Sequence, residues 1–62
     1  MEKWFNTEIF KPKNGDHIIW MDSSGEEIEG FIISNMWFPG KNKSQCTMYI
    51  YYLPKLWKYY NG

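Results

Sequence analysis

His17-Ile18-Ile19-Trp20-Met21-Asp22-Ser23-Ser24-Gly25-Glu26-Glu27-Ile28-Glu29-Gly30-Phe31-Ile32-Ile33-Ser34 is the stretch that decides the fold. Two runs rich in Ile and aromatic residues flank Ser23-Ser24-Gly25-Glu26. Such side chains suit a pleated, half-buried surface, and turn residues between two such runs close a hairpin. The reading predicts strands over His17–Asp22 and Glu27–Ser34, joined antiparallel. Gly30 interrupts the second run, which marks a bulge or a close approach of neighbouring groups.

Working outward, Lys11-Pro12-Lys13-Asn14-Gly15-Asp16 is a turn, since proline presets one φ and Asn-Gly tolerates positive φ. Trp4 to Phe10 fits either a turn of helix capped by Asn6 or an edge strand. Downstream, Met36 to Phe38 reads as a short third strand or the far end of the second. Pro39 to Ser44 is a basic loop. Gln45 to Leu53 is apolar on both alternating faces, the pattern of a central strand. Leu53, Leu56, Trp57 and Tyr60 fall at helical spacing, with Pro54 placed to start a turn and Gly62 to end it. They predict a short C-terminal helical turn that lays Trp57 across a barrel mouth. The expected fold is therefore mostly β: one domain over residues 1–62, a small antiparallel sheet or SH3-like barrel.

The composition limits how such a fold can be held together. A domain of 62 residues buries only about 60% of its unfolded surface. With Cys46 as the one cysteine, no disulfide can form within the chain. Cys46 and His17 also fall short of the four ligands of a structural zinc site. Bulky side chains must supply the core, and aromatics make up 21% of the chain. Each buries about 150–250 Å². They exceed what so small a domain can hide, so the surplus is expected on the surface or in a contact between copies, with a homodimer as one outcome.

Net charge is zero but unevenly spread. Residues 1–31 hold all seven acids against three lysines, a balance of −4, whereas residues 32–62 hold Lys41, Lys43, Lys55 and Lys58 and no acid, a balance of +4. The two halves are expected to pair and partly neutralise each other in the fold. The alternative is a dipolar molecule with an acidic hairpin and a basic loop. A lone cysteine, with neither a signal-peptide pattern nor an apolar span, is the composition of a cytoplasmic protein. The absence of Ala, Val and Arg beside abundant Lys, Ile and Asn hints at an AT-rich coding sequence.

Few side chains can carry chemistry. Asp16 and Asp22 flank His17, and a triad would need Cys46 or a serine brought beside it. Cys46 is expected as an inert residue of the central strand. Asp22, Glu26, Glu27 and Glu29 form an acidic cluster, read as a solvated turn. An aromatic cage from Trp20, Phe31, Trp37 or Tyr49 is conceivable, with core packing the stronger reading. The chain is thus expected to be a non-catalytic binding module without cofactor or metal. Its candidate contact residues are Trp37, Phe38, Tyr49, Tyr59 and Tyr60, with Lys41 and Lys43 beside them. Tyr and Trp dominate interface hot spots, which favours a protein partner. Single-stranded nucleic acid, taken by stacking and charge, is the alternative. It is weakened by the lack of arginine. A third option is an oligomeric sponge for a small molecule or nucleotide.

Two family likenesses sit on these motifs. Gly15-Asp16-His17-Ile18, followed by Glu29-Gly30-Phe31-Ile32, resembles the opening hairpin of SH3-like barrels, Tudor and KOW modules among them. Trp4, the Pro12 and Gly15 turn, Gly25, Gly30, Trp37 and Leu53-Pro54 together resemble DUF551, a small domain of unknown function common in phages and prophages. Phe5 stands where that family has Ile, and Tyr51-Tyr52-Leu53-Pro54 replaces its late W-M-P-L-P signature. The likeness implies an architecture and a phage-type origin, and no activity. Taken with the small size, aromatic excess and charge polarity, it leads to the expectation of a phage-type accessory protein that binds and modulates a host protein complex, such as a defence system.

Overall fold

In the computed structural model, which describes residues 3–61, five strands form one antiparallel sheet. They are β1 (Phe5–Asn6), β2 (His17–Met21), β3 (Glu27–Ile33), β4 (Met36–Pro39) and β5 (Leu56–Tyr59), in the order β1-β5-β2-β3-β4. The predicted hairpin is its centre, with Ile18 opposite Gly30 and Trp20 opposite Ile28. Asp22 builds the connecting turn. Its Oδ1 accepts from the Ser24 and Glu26 amides at 3.0 and 2.8 Å and from the Ser24 hydroxyl at 2.8 Å. Gly25 closes the turn at φ +84°.

The β3–β4 connection is tighter still. Ser34 and Asn35 both take positive φ, 53° and 64°, as a two-residue hairpin turn requires. Asn14 steadies it by accepting from the Asn35 amide at 2.6 Å. Neither residue is glycine, so the turn was not legible as one, and Met36–Pro39 emerges as a separate strand. β1 resolves the N-terminal alternative in both directions. Phe5–Asn6 is an edge strand paired with β5, and Asn6 then caps a turn, its Oδ1 accepting from the Glu8 amide at 2.9 Å.

Strand alternation sends one face inward. Ile18, Trp20, Ile32, Trp37 and Trp57 form the core, with Phe5, Ile28 and Ile50 packed at its rim. Trp20 lies edge-on to Trp37 at 5.6 Å. Gly30 is required beneath Trp20, because a Cβ there would overlap the indole and the Phe38 carbonyl. The opposite face carries His17, stacked between Phe31 at 4.1 Å and Tyr60 at 4.0 Å. Lys58 is buried on β5, its ammonium 4.7 Å from the Trp4 ring and 3.9 Å from a Glu27 oxygen. This is the one ion pair that joins the acidic half of the chain to the basic half among the described residues.

Two expectations fail for related reasons. The C-terminal helical turn is a strand: Trp57 pairs with Phe5 on one side and Trp20 on the other and is wholly buried. Helical spacing over so few residues cannot match two ladders of backbone hydrogen bonds, since an isolated turn is costly to nucleate. Gly62, read as the helix stop, lies outside the described residues. The expected central strand Gln45–Leu53 is not in the sheet at all, because β5 occupies the place beside β2. A 3₁₀ turn (Lys43–Gln45) is followed by an irregular segment, Cys46–Lys55, that crosses the core face. The result is one five-stranded antiparallel sheet, as expected, with β1 and β4 at the ends of the strand order.

Candidate docking surface

The segment Cys46–Lys55 is pinned to the sheet by a few inward groups. The Ile50 amide donates to the Trp37 carbonyl at 3.0 Å, where an edge strand would otherwise continue the sheet. Trp20 Nε1 donates to Tyr52 Oη at 3.2 Å, which satisfies a buried indole N–H. Pro54 is fully buried, and the Thr7 amide donates to the Lys55 carbonyl at 2.9 Å. The remaining side chains turn outward: Met48 is 67% exposed, Tyr51 86% and Leu53 59%. Tyr49 and Tyr52 are partly exposed beside them. Isolated exposed apolar residues are ordinary, but a run of them on one segment is a candidate interaction surface.

Both ends of this strip are basic. Lys41 and Lys43 lie just before it and Lys55 just after, all exposed, with no acid between. The first end is preorganised, since the Lys41 amide donates to Gln45 Oε1 at 3.0 Å and the Gln45 amide to the Asn42 carbonyl at 3.0 Å. Rings continue from the sheet into the strip: Phe38 to Tyr49 at 5.8 Å, then Tyr49 to Tyr51 at 5.4 Å, both edge-to-face. At the far end a groove of about 540 Å³ opens between the β2–β3 turn and the start of β5. Met21, Leu53, Pro54 and Leu56 wall it, with Asp22 and Lys55 at its margin.

The structure divides the seven residues expected to make contacts. Phe38 and Tyr49 meet at the start of the strip, and Lys41 and Lys43 are exposed on the loop between them in sequence. Trp37 does not join them. It is 8% exposed and belongs to the core, because its partner across the ladder is the buried Ile32. Tyr59 packs edge-on against Trp57 at 5.0 Å, whereas Tyr60 stacks on His17, so adjacent tyrosines serve different surroundings. Met48, Tyr51, Tyr52 and Leu53, exposed along the strip, were not among the expected contact residues. Their signal was an apolar run on both alternating faces, which fits a segment half outside the molecule as well as it fits a strand buried on both sides.

The residues considered for chemistry are dispersed. His17 Nε2 meets Glu29 Oε2 at 2.7 Å, a pair neither predicted nor joined by Cys46. Cys46 is half-buried beside Gly40, its Sγ 3.5 Å from the Asn42 carbonyl, not in a central strand. Burial pushes its thiol above the ordinary value, which disfavours the thiolate. Asp22 is held below the usual carboxylate range, first by the Ser24 hydroxyl and then by the Glu26 amide. Two more of the cluster are spent separately, Glu29 on His17 and Glu27 on Lys58. Trp20, Phe31 and Trp37 are buried, so the cage they could have formed is core packing. No group of three or more His, Cys, Asp or Glu side chains is placed to hold a metal among the described residues. No helix among them is long and apolar enough to cross a membrane.

No protein-family model, curated protein or solved structure matches this chain. The likenesses to SH3-like hairpins and to DUF551 therefore rest on their motifs, and the functional reading rests on the surface.

Proposed function

We propose that this protein is a non-catalytic binding module that docks on another protein through the strip Met48–Leu53. The observation that carries the reading is the outward display of Met48, Tyr51 and Leu53 by a segment whose inward groups already complete the core. A chain with a marginal core has every reason to bury such side chains. Leaving them out costs about 25 cal/mol per Å² of apolar surface, which a partner recovers. Tyrosine suits the purpose, since a large ring with few rotatable bonds loses little entropy when it is covered. Following the DUF551 likeness, we take the partner to be a host complex modulated by a phage-type accessory protein in the bacterial cytoplasm.

A photo-crosslinking residue at position 51, with a second at the exposed Lys13 as control, tests this in a bacterial host. The expected result is one host protein linked from position 51 and nothing from position 13. Equal linkage from both positions, or none from 51, contradicts it. Linkage only to a second copy of the chain would make the strip a homodimer contact instead. A second reading, single-stranded nucleic acid, is favoured by the Phe38–Tyr49–Tyr51 ring series beside Lys41 and Lys43. It requires oligonucleotide binding that falls steeply with salt.

A further inference from the structure

Resting on that docking reading, we infer that the partner presents an acidic segment with one apolar anchor side chain. The anchor fills the groove between the β2–β3 turn and β5, a carboxylate beside it meets Lys55, and carboxylates at the other end of the segment meet Lys41 and Lys43. Shape and charge both lead there. The groove walls are Met21, Leu53, Pro54 and Leu56, which offer an aliphatic or aromatic side chain a desolvated seat. The strip leading to it bears no charge from Cys46 to Pro54, so an extended segment can lie along it without stranding an ion. Lysines stand at both ends, and residues 32–62 hold no acid to compete for them. A basic segment would find Asp22, at the groove's margin, as the one carboxylate on that path, against three lysines.

The same features argue for protein over nucleic acid. Asp22 borders the groove, so the seat suits an uncharged anchor side chain, and a peptide can space its carboxylates away from Asp22 whereas a nucleic acid carries a phosphate at every residue. Lysines also act as point charges suited to carboxylates at a rim, where they set orientation and association rate.

Selection of a random-sequence peptide library on the intact protein tests the inference, with oligo-dT as competitor. Enriched peptides should carry Asp or Glu beside Leu, Phe or Trp. Their affinity should fall about tenfold for Lys41→Gln/Lys43→Gln/Lys55→Gln, since three exposed ion pairs contribute a factor of about two each. Binding should vanish for Met48→Ser/Tyr51→Ser, whose folding is checked by thermal melting. Peptides that need Met48 and Tyr51 but are neutral or basic would overturn the acidic partner while leaving the docking reading intact. No enrichment, or peptides indifferent to Met48→Ser/Tyr51→Ser, would overturn both. Oligo-dT displacing every enriched peptide from the strip would overturn the acidic partner in favour of nucleic acid.

Discussion

The β2–β3 hairpin and the segment Cys46–Lys55 are both rich in apolar and aromatic side chains, yet they handle them in opposite ways. The hairpin alternates: Ile18 and Trp20 are wholly buried, and their neighbours on the strand are half-covered on the other face. The segment divides its side chains by need rather than by period. Ile50 and Pro54 go inward, Tyr52 bonds Trp20, and Met48, Tyr51 and Leu53 go out. A strand inherits its two faces from pleating, whereas an irregular segment can place each side chain separately. Composition alone therefore cannot separate core aromatics from contact aromatics here. Position relative to the ladder can.

Breaking the hairpin side of the contrast should have the largest effect. Trp20→Ala empties the centre of the core and should cost about 3–5 kcal/mol, enough to unfold so small a domain. Circular dichroism melting should show no cooperative transition. Gly30→Val comes next, because its side chain would displace the Trp20 indole and the Phe38 carbonyl. Overpacking of this kind costs about 1–3 kcal/mol or more, read as a lower denaturant midpoint. On the segment side, Tyr52→Phe removes the acceptor for Trp20 Nε1 and leaves a buried donor unpaired. That should cost about 1–2 kcal/mol and shift the tryptophan emission, while the exposed strip remains.

Asp22→Asn sharpens the contrast at the turn. The folded carboxyl lies below its ordinary value of 3.8, so its contribution is present above that pH and is lost as pH falls through the folded value. The native protein should lose thermal stability as pH drops below about 4 more steeply than Asp22→Asn. Parallel curves for the two would show that the Ser24 and Glu26 hydrogen bonds do not hold the charge.

The hairpin was legible because β-branched and aromatic runs around Ser23-Ser24-Gly25-Glu26 leave little else to form, and Gly30 announced the packing of Trp20. The strand β5 was not, because Leu53, Leu56, Trp57 and Tyr60 share a helical spacing over too few residues to outweigh pairing with two neighbours. Trp37 was misjudged as surface because its neighbours Phe38 and Pro39 suggested a loop edge, while its burial is decided by Ile32 across the ladder. Half of the proposed contact surface was visible in Tyr49, Lys41 and Lys43. The other half was hidden in a run whose alternation suits a buried strand, and only the prior claim of β5 on the place beside β2 excludes that strand.

The central claim is that the strip serves binding and not stability. Met48→Ser/Tyr51→Ser/Leu53→Ser tests it when thermal melting and capture of the position-51 crosslinked partner are measured on the same preparation. Exposed substitutions cost within about 0.5 kcal/mol each, so the melting temperature should move by no more than about 10 °C while the partner is lost. A variant that melts far lower, or one that still binds its partner, would contradict the account.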